Sequence, residues 1–170
     1  MDENMTSPQE RLYASMSSRR LPRWEALPDL ELYMDQVLSL VERFLSADPG
    51  AEGKGLTASM VNNYVKLGVM PPPVKKRYTR EHLAYLVMIC VLKVSLPMGA
   101  IRSLLQRETG AAPVGEVYDR FCAMYESAGR DTASAYADAG EAADRLILRS
   151  ALRAASEQSV ALRLSELNAE

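Results

Sequence analysis

Long apolar runs, cysteines, histidines and aromatic side chains are all scarce in this sequence, and each scarcity removes a class of protein. The longest uncharged apolar run, Leu83 to Leu92, is about half of the roughly 20 residues that a bilayer-crossing helix needs. It reads as a buried helix, and no membrane partner is expected. The N-terminus opens on Asp2 and Glu3 with no basic stretch ahead of an apolar block, so no secretory signal is expected and a cytoplasmic location is. Cys90 and Cys122 are the only cysteines and lie far apart inside helical patterns, which argues against a disulfide framework and predicts two free, buried thiols. The single histidine, His82, has no neighbouring histidine or cysteine pair to complete a metal site and cannot supply a Ser-His-Asp set, so no metal, cofactor or catalytic residue is expected. Near the start of a helix, it reads as a surface or capping side chain. Aromatics make up only 6% of the chain, and no stretch alternates in the manner of a strand between close turns. The expected fold class is all-α.

What is present is enough for one sizeable core and an appendage: 170 residues, 48% of them hydrophobic. Residues 1–20 are polar with little periodicity and read as a mobile arm. Trp24 then sits between Pro22 and Pro28, which forbid a helix through the segment and predict an extended strap that docks the indole on the core. From Asp29, a plausible N-cap, Leu30, Tyr33, Met34, Val37, Leu38, Val41, Phe44 and Leu45 recur at helical spacing. Pro49, Gly50, Gly53 and Gly55 end that helix in a loop. The glycines flanking Lys54 are too closely spaced for a phosphate loop, and no Ser or Thr follows the lysine, so the segment is a linker.

Thr57 caps a short second helix whose Met60, Val61, Tyr64 and Leu67 are assigned to the core, and Gly68 suits its left-handed end. Pro71, Pro72 and Pro73 bar continuation, Val74 to Tyr78 reads as a short extended, hairpin-like excursion, and Thr79 caps the next helix, from Arg80 to about Val94. Another helix starts near Pro97. A further one is expected over Val114 to Ser127, ending before Gly129. An Ala-rich stretch follows in which Tyr136, Ala139, Ala143, Ile147, Ala151 and Ala154 trace one stripe, with Gly140 marking a close helix crossing. The run Leu146-Ile147-Leu148 with Leu152 calls for burial on more than one side, within the chain or between two copies.

The net charge of -2 conceals a strong segregation. Residues 53–107 carry nine basic side chains against the single acid Glu81, a net of +8, and the rest of the chain carries -10. A basic segment between acidic ones is the footprint of a polyanion-binding face. Its charges cluster around the short capped helix and the excursion, which have the dimensions of a recognition helix and a wing. Ser59, Asn62, Asn63 and Lys66 share one face at spacings of three and four, where Asn can pair bidentately with adenine in the major groove. Lys75, Lys76, Arg77 and Arg80 would hold phosphates.

Over Leu56 to Leu105 these residues resemble the winged helix-turn-helix of MerR-type transcription regulators. The resemblance is carried by Tyr64-Val65-Lys66-Leu67-Gly68-Val69-Met70-Pro71, by Tyr78-Thr79-Arg80-Glu81-His82-Leu83, and by Ile101-Arg102-Ser103-Leu104-Leu105. The chain departs from it in having Asn62-Asn63 where Arg-Tyr is usual, and in a shorter wing without Gly-Tyr-Arg, so no base preference transfers. The longer stretch from Leu21 through Leu105 is similar to an uncharacterised bacterial family of MerR-like proteins, the YkrK-type domain of unknown function. The resemblance implies a homodimer built on residues 108–170 and effectors placed beyond it, although no effector domain of recognisable type appears and the effector ligand is unknown. The expected organisation is an arm and strap over 1–28, a MerR-like DNA-binding domain over 29–107 and a helical extension over 108–170. The expected function is regulation of transcription by binding double-stranded DNA. The alternative is a helical module that binds protein partners without DNA.

Overall fold

The computed structural model describes residues 7–46, 55–137 and 142–168. In chain order the helices among them are α1 (Pro8–Ser17), α2 (Met34–Leu45), α3 (Ala58–Lys66), α4 (Arg80–Leu92), α5 (Met98–Ala111), α6 (Val114–Ala137) and α7 (Ala143–Leu167). No strand occurs among the described residues, only two isolated antiparallel bridges, so the fold is all-α. The loop glycines Gly50 and Gly53, the linker around Lys54, and the stripe and crossing positions Ala139 and Gly140 lie outside the described residues.

The apolar run seen in the sequence forms α4, which is the centre of the molecule. His82 to Cys90 are all buried, so this helix has no solvent face, and α2 and α6 pack against it. From α2 come Val37, Val41 and Leu45, spaced at four residues, and from α6 come Val117, Tyr118 and Cys122. Each fully buried Leu, Ile or Val contributes about 1.5–3 kcal/mol relative to exposure. No described helix is long and apolar enough to cross a membrane. Both cysteines are free and buried, as expected, and burial pushes both thiols up, which keeps them protonated.

Three expectations fail for reasons of tertiary contact. The polar N-terminal segment is not a bare arm: Ser7 Oγ accepts from Glu10 N–H at 3.2 Å and Glu10 Oε2 accepts from Ser7 N–H at 3.0 Å, a capping box that starts α1. The helix expected from Asp29 begins instead at Met34, because Leu32 exchanges both backbone hydrogen bonds with Tyr78, at 2.8 and 2.9 Å, and is held extended. The helix expected to end before Gly129 runs on to Ala137. A Cβ at Gly129 would stand 2.7 Å from the Met16 carbonyl oxygen, so this glycine serves the α1–α6 crossing and not a helix end.

Gly115 does the same for the strap, since a Cβ there would meet the Trp24 indole at 3.0 Å. Trp24 is partly buried against the core, as expected, but the strap is not extended throughout: Trp24–Ala26 form a single 3-10 turn, short enough to fit between the two prolines. Asp119 Oδ1 accepts from its backbone N–H at 2.7 Å, and Arg23 pairs with the buried Glu126 at 2.8 Å. The strap is thereby latched to α6. The Ala-rich stripe does not form one helix face: Tyr136 is buried at the end of α6, whereas Ile147 on α7 is 66% exposed.

Candidate nucleic-acid interface

Thr57 Oγ1 accepts from Met60 N–H at 3.3 Å and starts α3 where the sequence places its cap. Val61 and Tyr64 sink into the core, and burial pushes the Tyr64 hydroxyl up to about 12, so it stays neutral. Ser59, Asn62, Asn63 and Lys66 are all exposed, on the face opposite those anchors. Leu67, assigned to the core from its spacing, is instead exposed at the C-cap. The reason is the way the helix closes. Gly68 adopts φ +68, its N–H reaches Val65 O at 3.0 Å, and Val69 N–H reaches Tyr64 O at 2.9 Å, so that Val69 is buried in place of Leu67.

Helix α5 holds this closure from outside. Arg102 Nη1 donates to Leu67 O at 3.5 Å and Gln106 Nε2 donates to Gly68 O at 3.3 Å. A cation at the negative end of the α3 dipole is favourable as well. In the sequence Arg102 stands among the basic residues and within the Ile101–Leu105 stretch, and nothing there points to Gln106. The carbonyls they meet belong to another element, and no spacing rule links residues 35 to 38 positions apart.

The excursion is a tight hairpin. Arg77 N–H donates to Val74 O at 2.8 Å across a two-residue turn in which Lys75 and Lys76 have φ of 49 and 61. Both central residues of such a turn need positive φ, a role usually filled by Asn-Gly, and each lysine costs about 1 kcal/mol there. The effect is to expose two lysines at a tip. Arg77, partly buried, stacks 3.6 Å above the Tyr33 ring, a partner the sequence reading did not assign. Arg80 stands apart: its side chain is only 14% exposed, lies 5.3 Å from the Trp24 ring, and pairs with Asp29 at 3.5 Å and Glu25 at 3.7 Å. It ties α4 to the strap.

His82 joins the hairpin to α4. Its Nδ1 accepts from Thr79 N–H at 3.0 Å, which places the ring proton on Nε2, and Nε2 donates to Pro72 O at 3.3 Å. Tyr78 meets the ring edge-on with centroids 5.4 Å apart. Burial holds the His82 pKa below its ordinary 6.5, although the Pro72 carbonyl opposes the shift. The side chain is thus a capping residue and not a surface one. Among the described residues no three His, Cys, Asp or Glu side chains group as a metal site.

From Gly55 to Arg80 the chain contains no acid, so every charged group on the exposed face of α3 and at the hairpin tip is cationic, beside the exposed apolar side chains of Leu67 and Val74. Fold and site together define an all-α protein that displays an acid-free helix and a lysine-tipped hairpin. A family model described as a domain of unknown function (DUF1836) matches residues 22–126, more than half of the chain, and the protein belongs to that family. The matched stretch is closed at its ends by two contacts of the latch, Cys122 Sγ to Pro22 O at 3.8 Å and Arg23 to Glu126. No curated protein and no solved structure matches the chain.

Proposed function

We infer that the protein is a sequence-specific DNA-binding transcription regulator of MerR-like type, in which α3 is the recognition helix and the Val74–Arg77 hairpin the wing. The observation that carries this reading is the exposed, acid-free pair of α3 and a turn held at positive φ with lysines at both central positions. Ser59, Asn62, Asn63 and Lys66 would read base edges, while Lys75, Lys76 and Arg77 would neutralise phosphates. Arg80 is left out of the phosphate-contacting set because its guanidinium is already paired with Asp29 and Glu25. The reading includes a homodimer formed through the C-terminal extension, supported by Ile147, Leu148 and Leu152, which are 66%, 61% and 61% exposed on α7.

The same exposed residues favour the second reading, a helical module that docks on a protein partner. Fluorescence anisotropy separates the two. The test uses a duplex from the region upstream of the protein's own coding sequence and a scrambled duplex, across a salt series. The regulator prefers the first duplex. Lys75→Ala/Lys76→Ala weakens binding to both and reduces the log-log salt slope by about 2, near 0.9 per neutralised phosphate. Folded protein without measurable duplex binding at physiological salt would refute the regulator and leave the protein-binding module.

A further inference from the structure

Helix α5 works on two faces. Arg102 and Gln106 clasp the final carbonyls of α3, while Leu104, Leu105 and Glu108 line a crevice of about 440 Å³ whose other walls are α4 and α6. Met88 and Leu92 contribute from α4, Phe121 and Met124 from α6, and no described residue of α7 takes part. Among the described residues the charged side chains in the wall are Glu108 and Arg120, which neutralise each other in an ion pair.

We propose that this crevice binds an uncharged, largely apolar small molecule, and that α5 transmits its occupancy to the C-terminal end of α3. The volume falls within the range of about 300–1,000 Å³ typical of small-molecule sites, which are mostly apolar with a few polar groups at fixed places. Its wall comprises twelve residues, whereas a stable protein interface engages about 20–30 on each side. The crevice by itself is therefore smaller than a stable interface between two copies. Charge points the same way, because a wall with no net charge offers an ionic ligand no counter-charge. Met88 and Met124, the latter 68% exposed, supply adaptable thioether side chains that can close over ligands of differing shape.

Transmission follows from the helix being one rigid rod. Displacement of Leu104 and Glu108 by a ligand moves Arg102 and Gln106 with them, and these two side chains reach the carbonyls at the closure of α3. The effect is reciprocal: whatever restrains α3 alters affinity at the crevice by the same factor. The site can be tested on the free protein, so it does not depend on the DNA-binding reading.

The experiment titrates Nile red, an uncharged apolar dye, onto the full chain and three variants: Ala128→Phe, which fills the crevice; Met124→Arg, which charges its exposed mouth; and Leu148→Gln/Leu152→Gln on α7. The expected result is saturable binding of one dye per chain with a dissociation constant on the order of micromolar, about tenfold or more weaker in Ala128→Phe and in Met124→Arg. The α7 variant should bind as the parent does. Hydrogen exchange at the Gly68 and Val69 amides should change on saturation in the parent chain and not in Ala128→Phe. Undiminished dye binding by Met124→Arg, whose exposed position spares the fold, would overturn the site. So would loss of binding in the α7 variant, or an oligomer that Ala128→Phe dissociates, which would make the crevice a contact between copies. Unchanged exchange at Gly68 and Val69 with dye bound would overturn the transmission.

Discussion

Two helices rich in apolar residues meet opposite fates in this protein. In α4, thirteen residues long, nine consecutive side chains are buried, whereas α7, with twenty-five, buries none and leaves Ile147, Leu148, Leu152, Val160, Leu164 and Leu167 exposed. Apolar content does not explain the difference. Only two charged residues occur in α4, both in its first turn, so every later face can be surrounded by α2 and α6. Charges interrupt α7 throughout, at Asp144, Arg145, Arg149, Arg153, Glu157, Arg163 and Glu166, and its contacts with the body include Arg149 over the Tyr136 ring, Gln158 to Ser95 O and Arg107 to Asn168 O. The first helix makes the fold, and the second is left uncovered by the described residues of the chain.

The contrast breaks or holds first on stability. Leu86→Ala in α4 should cost about 2–5 kcal/mol in urea unfolding, and Leu152→Ala in α7 should stay within about 0.5 kcal/mol. A cost at Leu152 rivalling that at Leu86 would show that α7 is covered in solution.

Within the body, the hairpin sharpens the comparison, because it too is exposed but is strained. Lys76→Gly relieves a positive φ of 61 and should raise stability by about 1 kcal/mol while weakening any duplex binding. A loss of stability on calorimetric unfolding would show that the lysine side chain supports the turn.

The smallest effect is expected at His82. Its pKa is depressed in the folded state, so the unfolded chain takes up more protons as pH falls below 6.5. Stability should therefore be complete above that value, decline below it, and level off beneath the folded pKa. Urea midpoints across this range should show the decline, and His82→Gln should lack it. An identical decline in the variant would assign it to other groups.

Legibility in the sequence followed the reach of the interaction. The Thr57 cap, the Gly68 closure, the proline stop, the Val74–Arg77 turn and the buried α4 all rest on residues a few positions apart, and each was readable. Ser59, Asn62, Asn63 and Lys66 were readable as one face for the same reason. The start of α2 was not, because Leu32 is held by Tyr78, nor was the passage of α6 through Gly129, because Met16 approaches there. Arg80 looked like one more cation of the basic segment until Trp24, Glu25 and Asp29 came round to meet it. The clasp of Arg102 and Gln106 on α3 had no local signature at all.

By itself, then, the sequence determined an all-α chain, its central apolar helix, the caps and breaks around α3, and the concentration of positive charge in residues 53–107. These depend on backbone propensity, periodicity and count, which act over a turn or two. The tertiary structure alone decided where α2 begins, why Gly115 and Gly129 are glycines, which cations are free and which are paired, and that α5 links an apolar crevice to the end of α3. Each of those depends on atoms from distant segments arriving within a few ångströms of one another, and no local pattern encodes which segments will meet.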